Sequence, residues 1–323
     1  MRLLSILFTF VAIGLAQSSK PLRLEKTIPL PDVKGRIDHM SIDVKNQRLF
    51  MAALGNNTVE VIDVAHGKRI HSIPGLHEPQ GALYLPDVNR LYVANGEDGT
   101  LRIFDGSSYE PIKSVKLGDD ADNIRFDAGK KRVYVGYGSG ALAVMNENGS
   151  KVAEINLDAH PESFQVEKDG PRLFVNLPKS RKVAVVNRIK GSVVAAWGTG
   201  GALSNYPMAL DEEDHRLFIV CRVPARLVIL DTNTGKVVEK LPVIGDSDDV
   251  FYDKDRKRVY ATGGEGGISV YQQEGPDHYK EIAKLPTVKG ARTSFFSSDL
   301  RQLFVAARRQ GSQPAAVRVY SVP

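Results

Sequence analysis

The chain has 323 residues, 43 Lys and Arg against 38 Asp and Glu, a net charge of +5, 42% hydrophobic residues and one Cys. At about 150 residues per domain, the length suggests two domains with a sizeable core. A single Cys excludes an intrachain disulfide framework, a Cys-rich zinc module and haem attachment through Cys-x-x-Cys-His. Basic residues scattered singly, without runs or aromatic interleaving, argue against a nucleic-acid partner.

The chain opens with Arg2 and then an apolar stretch from Leu3 to Ala16, ending Gly14-Leu15-Ala16. Fourteen residues are too few to span a bilayer comfortably, whereas a positive start, an apolar centre and a small-residue end describe an export signal. The expectation is a removed signal peptide over 1–16 and a mature chain over 17–323. No Cys at the cleavage point offers a lipid anchor and no membrane span is expected, which places the protein in the periplasm or outside the cell.

Leu24 to Leu30 reads as a first β segment, and after it one phrase recurs to the end of the chain. It appears as Arg48-Leu49-Phe50-Met51, Arg90-Leu91-Tyr92-Val93, Arg132-Val133-Tyr134-Val135, Arg172-Leu173-Phe174-Val175, Arg216-Leu217-Phe218-Ile219, Arg258-Val259-Tyr260-Ala261 and Gln302-Leu303-Phe304-Val305. The spacing is 40 to 44 residues throughout. A short apolar run precedes each phrase, as at Met40-Ser41-Ile42. An alternating strand follows it, as at Leu227 to Asp231, then a tight turn and a fourth strand such as Val237 to Leu241. Four strands per repeat of this length is the signature of a propeller blade. The fold is therefore all-β, a seven-bladed β-propeller with four antiparallel strands per blade, and one domain replaces the two suggested by length. The seventh repeat ends after its third strand, Val317 to Tyr320. The segment at Leu24–Leu30 supplies the missing strand and closes the ring.

Phrases such as Arg90-Leu91-Tyr92-Val93-Ala94-Asn95, followed by strands such as Thr58-Val59-Glu60-Val61-Ile62-Asp63, resemble those of the bacterial YVTN-type seven-bladed propellers over about residues 22–322. That family is usually exported to the periplasm. Its relatives include binding proteins, lactonases and a streptogramin lyase, so the resemblance implies the fold and leaves the activity to be argued from residues.

In a propeller, the loop leading into each innermost strand arrives at one mouth of the central channel. The windows thirteen to nine residues before each phrase hold nine acids: Asp38, Glu78, Asp119, Asp120, Asp122, Glu162, Asp246, Asp248 and Asp249. They also hold His39, His77, His160 and Asn123. The column ten residues before the phrase reads Asp38, Gln80, Asp122, Glu162, Tyr206, Asp248 and Arg292, and every member can hydrogen-bond or ligate. These residues are expected to form the ligand site. Asp38, Asp122, Glu162 and Asp248 are the candidate metal ligands, for Ca²⁺ or Mg²⁺ before Zn²⁺ or Mn²⁺. His39, His77 and His160 are the candidate acid–base groups, and Arg292 the anchor for an anion.

A second acidic column, Asp43, Asp127, Glu167, Asp211 and Asp253, lies five residues before each blade's Arg and is expected to pair with it. Cys221 follows an apolar strand and is expected to be a core thiol. The chain thus reads as a monomeric binding or scaffold propeller, with an acidic, His-containing funnel that receives a small polar ligand, a cation or a segment of a protein partner. The alternative is a metal-assisted hydrolase or lyase of the propeller lactonase kind.

Overall fold

The phrase Arg-Leu-Phe-Met carries large apolar side chains on both faces of a strand, so it is stable only where both faces are covered. The computed structural model, which describes residues 20–323, meets that demand by placing each phrase second from the axis in one of seven sheets. The expected signal segment, 1–16, lies outside the described residues. Blade 1 consists of Met40–Asp43, Arg48–Ala53, Thr58–Asp63 and Lys68–Ile73, paired antiparallel in that order. Leu49, Phe50 and Met51 have no solvent exposure, while the outer strand Lys68–Ile73 is exposed or partly covered up to its last residue, the buried Ile73. The five blades that follow repeat the pattern, with innermost strands Pro79–Leu85, Ile124–Asp127, Phe164–Val166, Leu203–Asp211 and Ser247–Asp253. No helix among the described residues is long and apolar enough to cross a membrane.

Blade 7 is assembled from both ends of the described chain. Ser294–Ser297, Gln302–Ala307 and Ala315–Ser321 are completed by Arg23–Leu30, whose Thr27 lies opposite Arg318 and Leu30 opposite Ala315. Ile28 and Leu30 are fully buried, in a cluster shared with Leu49, Met51, Phe304 and Val317 that joins blade 7 to blade 1. The ring closure expected from the sequence is therefore present, and it leaves blade 7 without an unpaired edge beside its third strand.

The second acidic column departs from expectation. Asp43 bonds Arg48 at 2.7 Å and Glu167 bonds Arg172 at 2.8 Å, but Asp127 bonds Arg188 at 2.7 Å. Arg216 reaches Asp231 at 2.9 Å, and Arg258 reaches Gln272 at 3.2 Å. What the four aspartates share is a turn contact. The Oδ1 atoms of Asp43, Asp127, Asp211 and Asp253 each accept the backbone N–H three residues on, at 3.0–3.3 Å. The column was selected for by an Asx turn between first and second strands, and the arginine partner varies from blade to blade. That turn ends in a left-handed residue immediately before the phrase in six blades: Gln47, Asn89, Lys131, His215, Lys257 and Arg301.

Two stability outcomes follow from closure and turn. Ile28→Ala removes a fully buried side chain from the closing strand and should cost about 3 kcal/mol in chemical denaturation. Lys257, at φ 52°, carries a Cβ penalty that Gly avoids, so Lys257→Gly should raise stability by roughly 0.5 kcal/mol after the added chain entropy. An unchanged denaturation midpoint in Ile28→Ala would mean that the closing strand contributes little.

Candidate functional site

The innermost strands of blades 1 to 6 begin with an irregularity, and it is this irregularity that aims side chains into the channel mouth. In blade 1 the N–H of Asp38 donates to Ala52 O (2.7 Å), while Ala52 N–H donates to His39 O (3.0 Å). Two residues thus face one. Asp122 and Asn123 face Gly136 in the same way, as Glu162 and Ser163 face Asn176. In blades 2, 5 and 6 the ladder register shifts across Pro79/Ala82, Asn205/Met208 and Ser247/Asp249, bracketing Gln80, Tyr206 and Asp248. A β-bulge turns the extra residue out of the pleat. Here it points the column ten residues before the phrase toward the axis.

The result is one cavity of about 300 Å³ lined by all seven column residues, Asp38, Gln80, Asp122, Glu162, Tyr206, Asp248 and Arg292. His39, Asn123 and His160 line it too. The sequence-predicted site is therefore brought together with two exceptions. Glu78 is exposed, its backbone N–H held by Asn57 Oδ1 (2.9 Å) and its carbonyl by Gly96 N–H (2.8 Å). His77 sits beside Glu97 at 3.6 Å on the open rim. Both precede the bulge of their blade and so never receive its inward turn. Arg36, Asp120, Ser163 and Arg222 join the lining. Arg222 had no signal in the window pattern because it comes from the far end of a second strand, Arg216–Val223, which runs two residues longer than the six of Arg48–Ala53.

At the floor lies His39. Its Nδ1 is 3.4 Å from Asp249 Oδ1, and Asp249 Oδ2 is fixed by the N–H of Ser294 (2.8 Å). Its Nε2 faces Asp38 (3.7 Å), Asp122 (3.9 Å) and the amide of Asn123 (3.2 Å). Burial works against a charge on this ring, but the carboxylate of Asp249, with Asp38 and Asp122, outweighs it and lifts the imidazole to about 10. His39 is thus an imidazolium near neutral pH, a fixed positive charge and not a free base. The carboxyls shift upward as well. Burial, reinforced by neighbouring carboxylates, raises Asp38 to about 7 and Glu162 to about 8, and burial also raises Asp122 and Asp248.

The cations are unevenly placed. Arg222 bonds Asp248 and Ser247 O (3.0 Å) while its guanidinium lies 3.9 Å from the centre of the Tyr206 ring. Arg292 pairs with Asp246 (3.0 Å) and reaches Asp248 (3.6 Å), and Arg36 pairs with Asp38 (3.3 Å). Blades 5, 6, 7 and 1 thus balance their acids. Blade 3 has Arg125, whose guanidinium donates to Ile124 O (2.8 Å) and Ser163 Oγ (3.4 Å) and makes no ion pair among the described residues, and blade 4 has His160, whose Nδ1–H donates to Gly138 O (2.6 Å) and whose Nε2 stands 3.7 Å from Asp120.

The expected metal tetrad lines the cavity without forming a ligand set. Among the described residues, no three His, Cys, Asp or Glu side chains are grouped to hold a metal ion. The physical reason is visible at Asp248 and Asp38, whose oxygens are turned to arginines. Cys221 is buried in its strand, and burial pushes its thiol up to about 12, as expected of a core thiol.

Comparison with known proteins gives the fold and no more. No protein-family model and no curated protein matches the sequence. Among solved structures, the chain is similar to Kuenenia stuttgartiensis hydrazine synthase, with a TM-score of 0.72 and 18% identity over 91% of this chain and 96% of that one. It is also similar to a chain in a structure of the mitotic checkpoint complex, with a TM-score of 0.79 and 14% identity over 100% of this chain and 99% of that one. At such identities the likeness is one of seven-bladed architecture.

The raised groups set the pH dependence of stability. Asp38 and Glu162 hold protons more tightly folded than unfolded. Their contribution is full below their ordinary values of 3.8 and 4.5 and is lost as pH rises through about 7 and about 8. That of His39 is full below 6.5 and is lost as pH rises through about 10. The melting temperature of the wild type relative to Glu162→Gln should therefore fall steadily between pH 4.5 and 8. A pH-independent difference in paired melting curves would show that Glu162 titrates as a solvated carboxyl.

Proposed function

We propose that this protein is an exported, monomeric binding propeller whose channel mouth holds one small polar ligand. The observation that carries the reading is the convergence of seven polar side chains, one from each blade, on a single cavity of about 300 Å³. Turn-forming residues with no further role have no reason to be turned inward by the same bulge in blade after blade. The export part of the reading rests on residues 1–16 and the family resemblance of the repeats. A protein partner's segment is the other occupant that a polar channel mouth of this kind suits.

Catalysis is a second reading, with one observation in its favour. The Nδ1–H of His160 is committed to Gly138 O, so Nε2 is left facing the cavity in the tautomer an acid–base group needs. The metal-assisted hydrolase or lyase form of that reading asks for a grouped donor set that these side chains do not make.

A thermal-shift screen of the mature chain against small polyols, amino acids, amines and carboxylates tests the binding reading. At least one class should raise the melting temperature by several degrees. Asp122→Asn and Gln80→Ala should remove the response while leaving a cooperative unfolding transition, because neither side chain belongs to a blade-to-blade apolar cluster. A response that survives both substitutions places the ligand elsewhere.

A further inference from the structure

We infer that the ligand of the channel mouth carries an ammonium or guanidinium group, seated between Asp122 and Glu162 on the side of blades 3 and 4. This rests on the binding reading above and specifies what it binds.

The first support is a buried carboxylate oxygen to which the chain itself brings no hydrogen-bond donor. Asp122 is only 6% exposed, lines the cavity, and its Oδ1 has no hydrogen-bond partner. His39 Nε2 stands 3.9 Å from that oxygen, beyond hydrogen-bond reach, and is already held by Asp249, while His160 and the buried Arg125 act on Asp122 through space without a hydrogen bond to it. An acceptor buried without a donor costs about 1–3 kcal/mol, more when it is charged. A ligand that brings donors recovers that cost. Beside this atom, the carboxyl of Glu162 makes no ion pair among the described residues.

The second support is where the opposite charge is already spent. Arg36, Arg222 and Arg292 each sit on a carboxylate of this protein. An anionic ligand would have to displace Asp38, Asp246 or Asp248 to reach them. A cation at Glu162 displaces no ion pair among the described residues, and at Asp122 it shares the carboxylate with an imidazolium that stands 3.9 Å away and makes no hydrogen bond to it.

The third support separates an organic cation from a metal ion. Ca²⁺ and Mg²⁺ draw several oxygens to within about 2.0–2.6 Å of one point, and no three acidic or imidazole side chains among the described residues are so grouped. Ammonium and guanidinium groups donate at about 2.7–3.0 Å in several directions and bridge acceptors that stand farther apart. The cavity already contains one such arrangement, since the Arg222 guanidinium lies against the Tyr206 ring and bonds Asp248.

Isothermal titration calorimetry on the mature chain at pH 8, with agmatine and putrescine as cationic probes, glucose and succinate as neutral and anionic ones and CaCl₂ as the metal, decides the matter. The expected result is one-to-one binding of a cationic probe with sub-millimolar Kd. Asp122→Asn and Glu162→Gln should weaken it at least tenfold with unchanged folding by circular dichroism, and Ca²⁺ should not compete. Binding of glucose or succinate that is lost in Asp122→Asn keeps the cavity as a binding site and overturns its cationic specificity. Competition by Ca²⁺ overturns the preference for an organic cation. If none of the five probes binds, both the cationic specificity and the binding reading fall.

Discussion

Everything in this molecule depends on a ring that must close on itself. Seven sheets, each with a second strand apolar on both faces, cover one another only if no sheet is left at an end. The pairing of Arg23–Leu30 with Ala315–Ser321 removes that end. The cluster joining Ile28 and Leu30 to Leu49 and Phe304 ties the closing strand to both neighbouring blades. Loops from blades 1 and 7 are thereby held at fixed distances from those of blades 3 and 4. The cavity exists because the ring has no gap through which its floor relaxes into solvent.

Closure also explains why so many ionisable groups are tolerated at the axis. Buried charges are costly unless paired, and here the pairing runs between blades: His39 of blade 1 with Asp249 of blade 6, and Arg292 of blade 7 with Asp246 of blade 6. Each such contact spans a blade boundary, so the polar mouth and the apolar body reinforce the same arrangement. The imbalance left over on blades 3 and 4 is local. Neither the net charge of the chain nor the composition of any one repeat reveals it.

Much of this was legible in the sequence because the blade repeat is a spacing pattern, and spacing is what a sequence preserves. The phrase from Arg48 to Gln302 located every second strand, and counting back ten residues found seven side chains that do meet. What could not be read is contact geometry. Asp127 chooses Arg188 over Arg132, because the pattern marks an Asx turn whose acceptor serves a backbone N–H and leaves the second oxygen to whichever arginine is near. Glu78 and His77 fell in the right window on the wrong side of a bulge, and a bulge is a hydrogen-bond property with no residue signature of its own. Arg222 was missed for the converse reason, reaching the cavity from a strand that overruns its usual length.

The lone thiol has a use that follows from where it sits. Cys221 lies in the second strand of blade 5, fully buried and with its ionisation suppressed. A thiol reagent therefore reacts with this protein only when that blade parts from its neighbours. The rate of labelling at this one atom is a clock for the opening of the ring, supplied by the native sequence and needing no introduced probe.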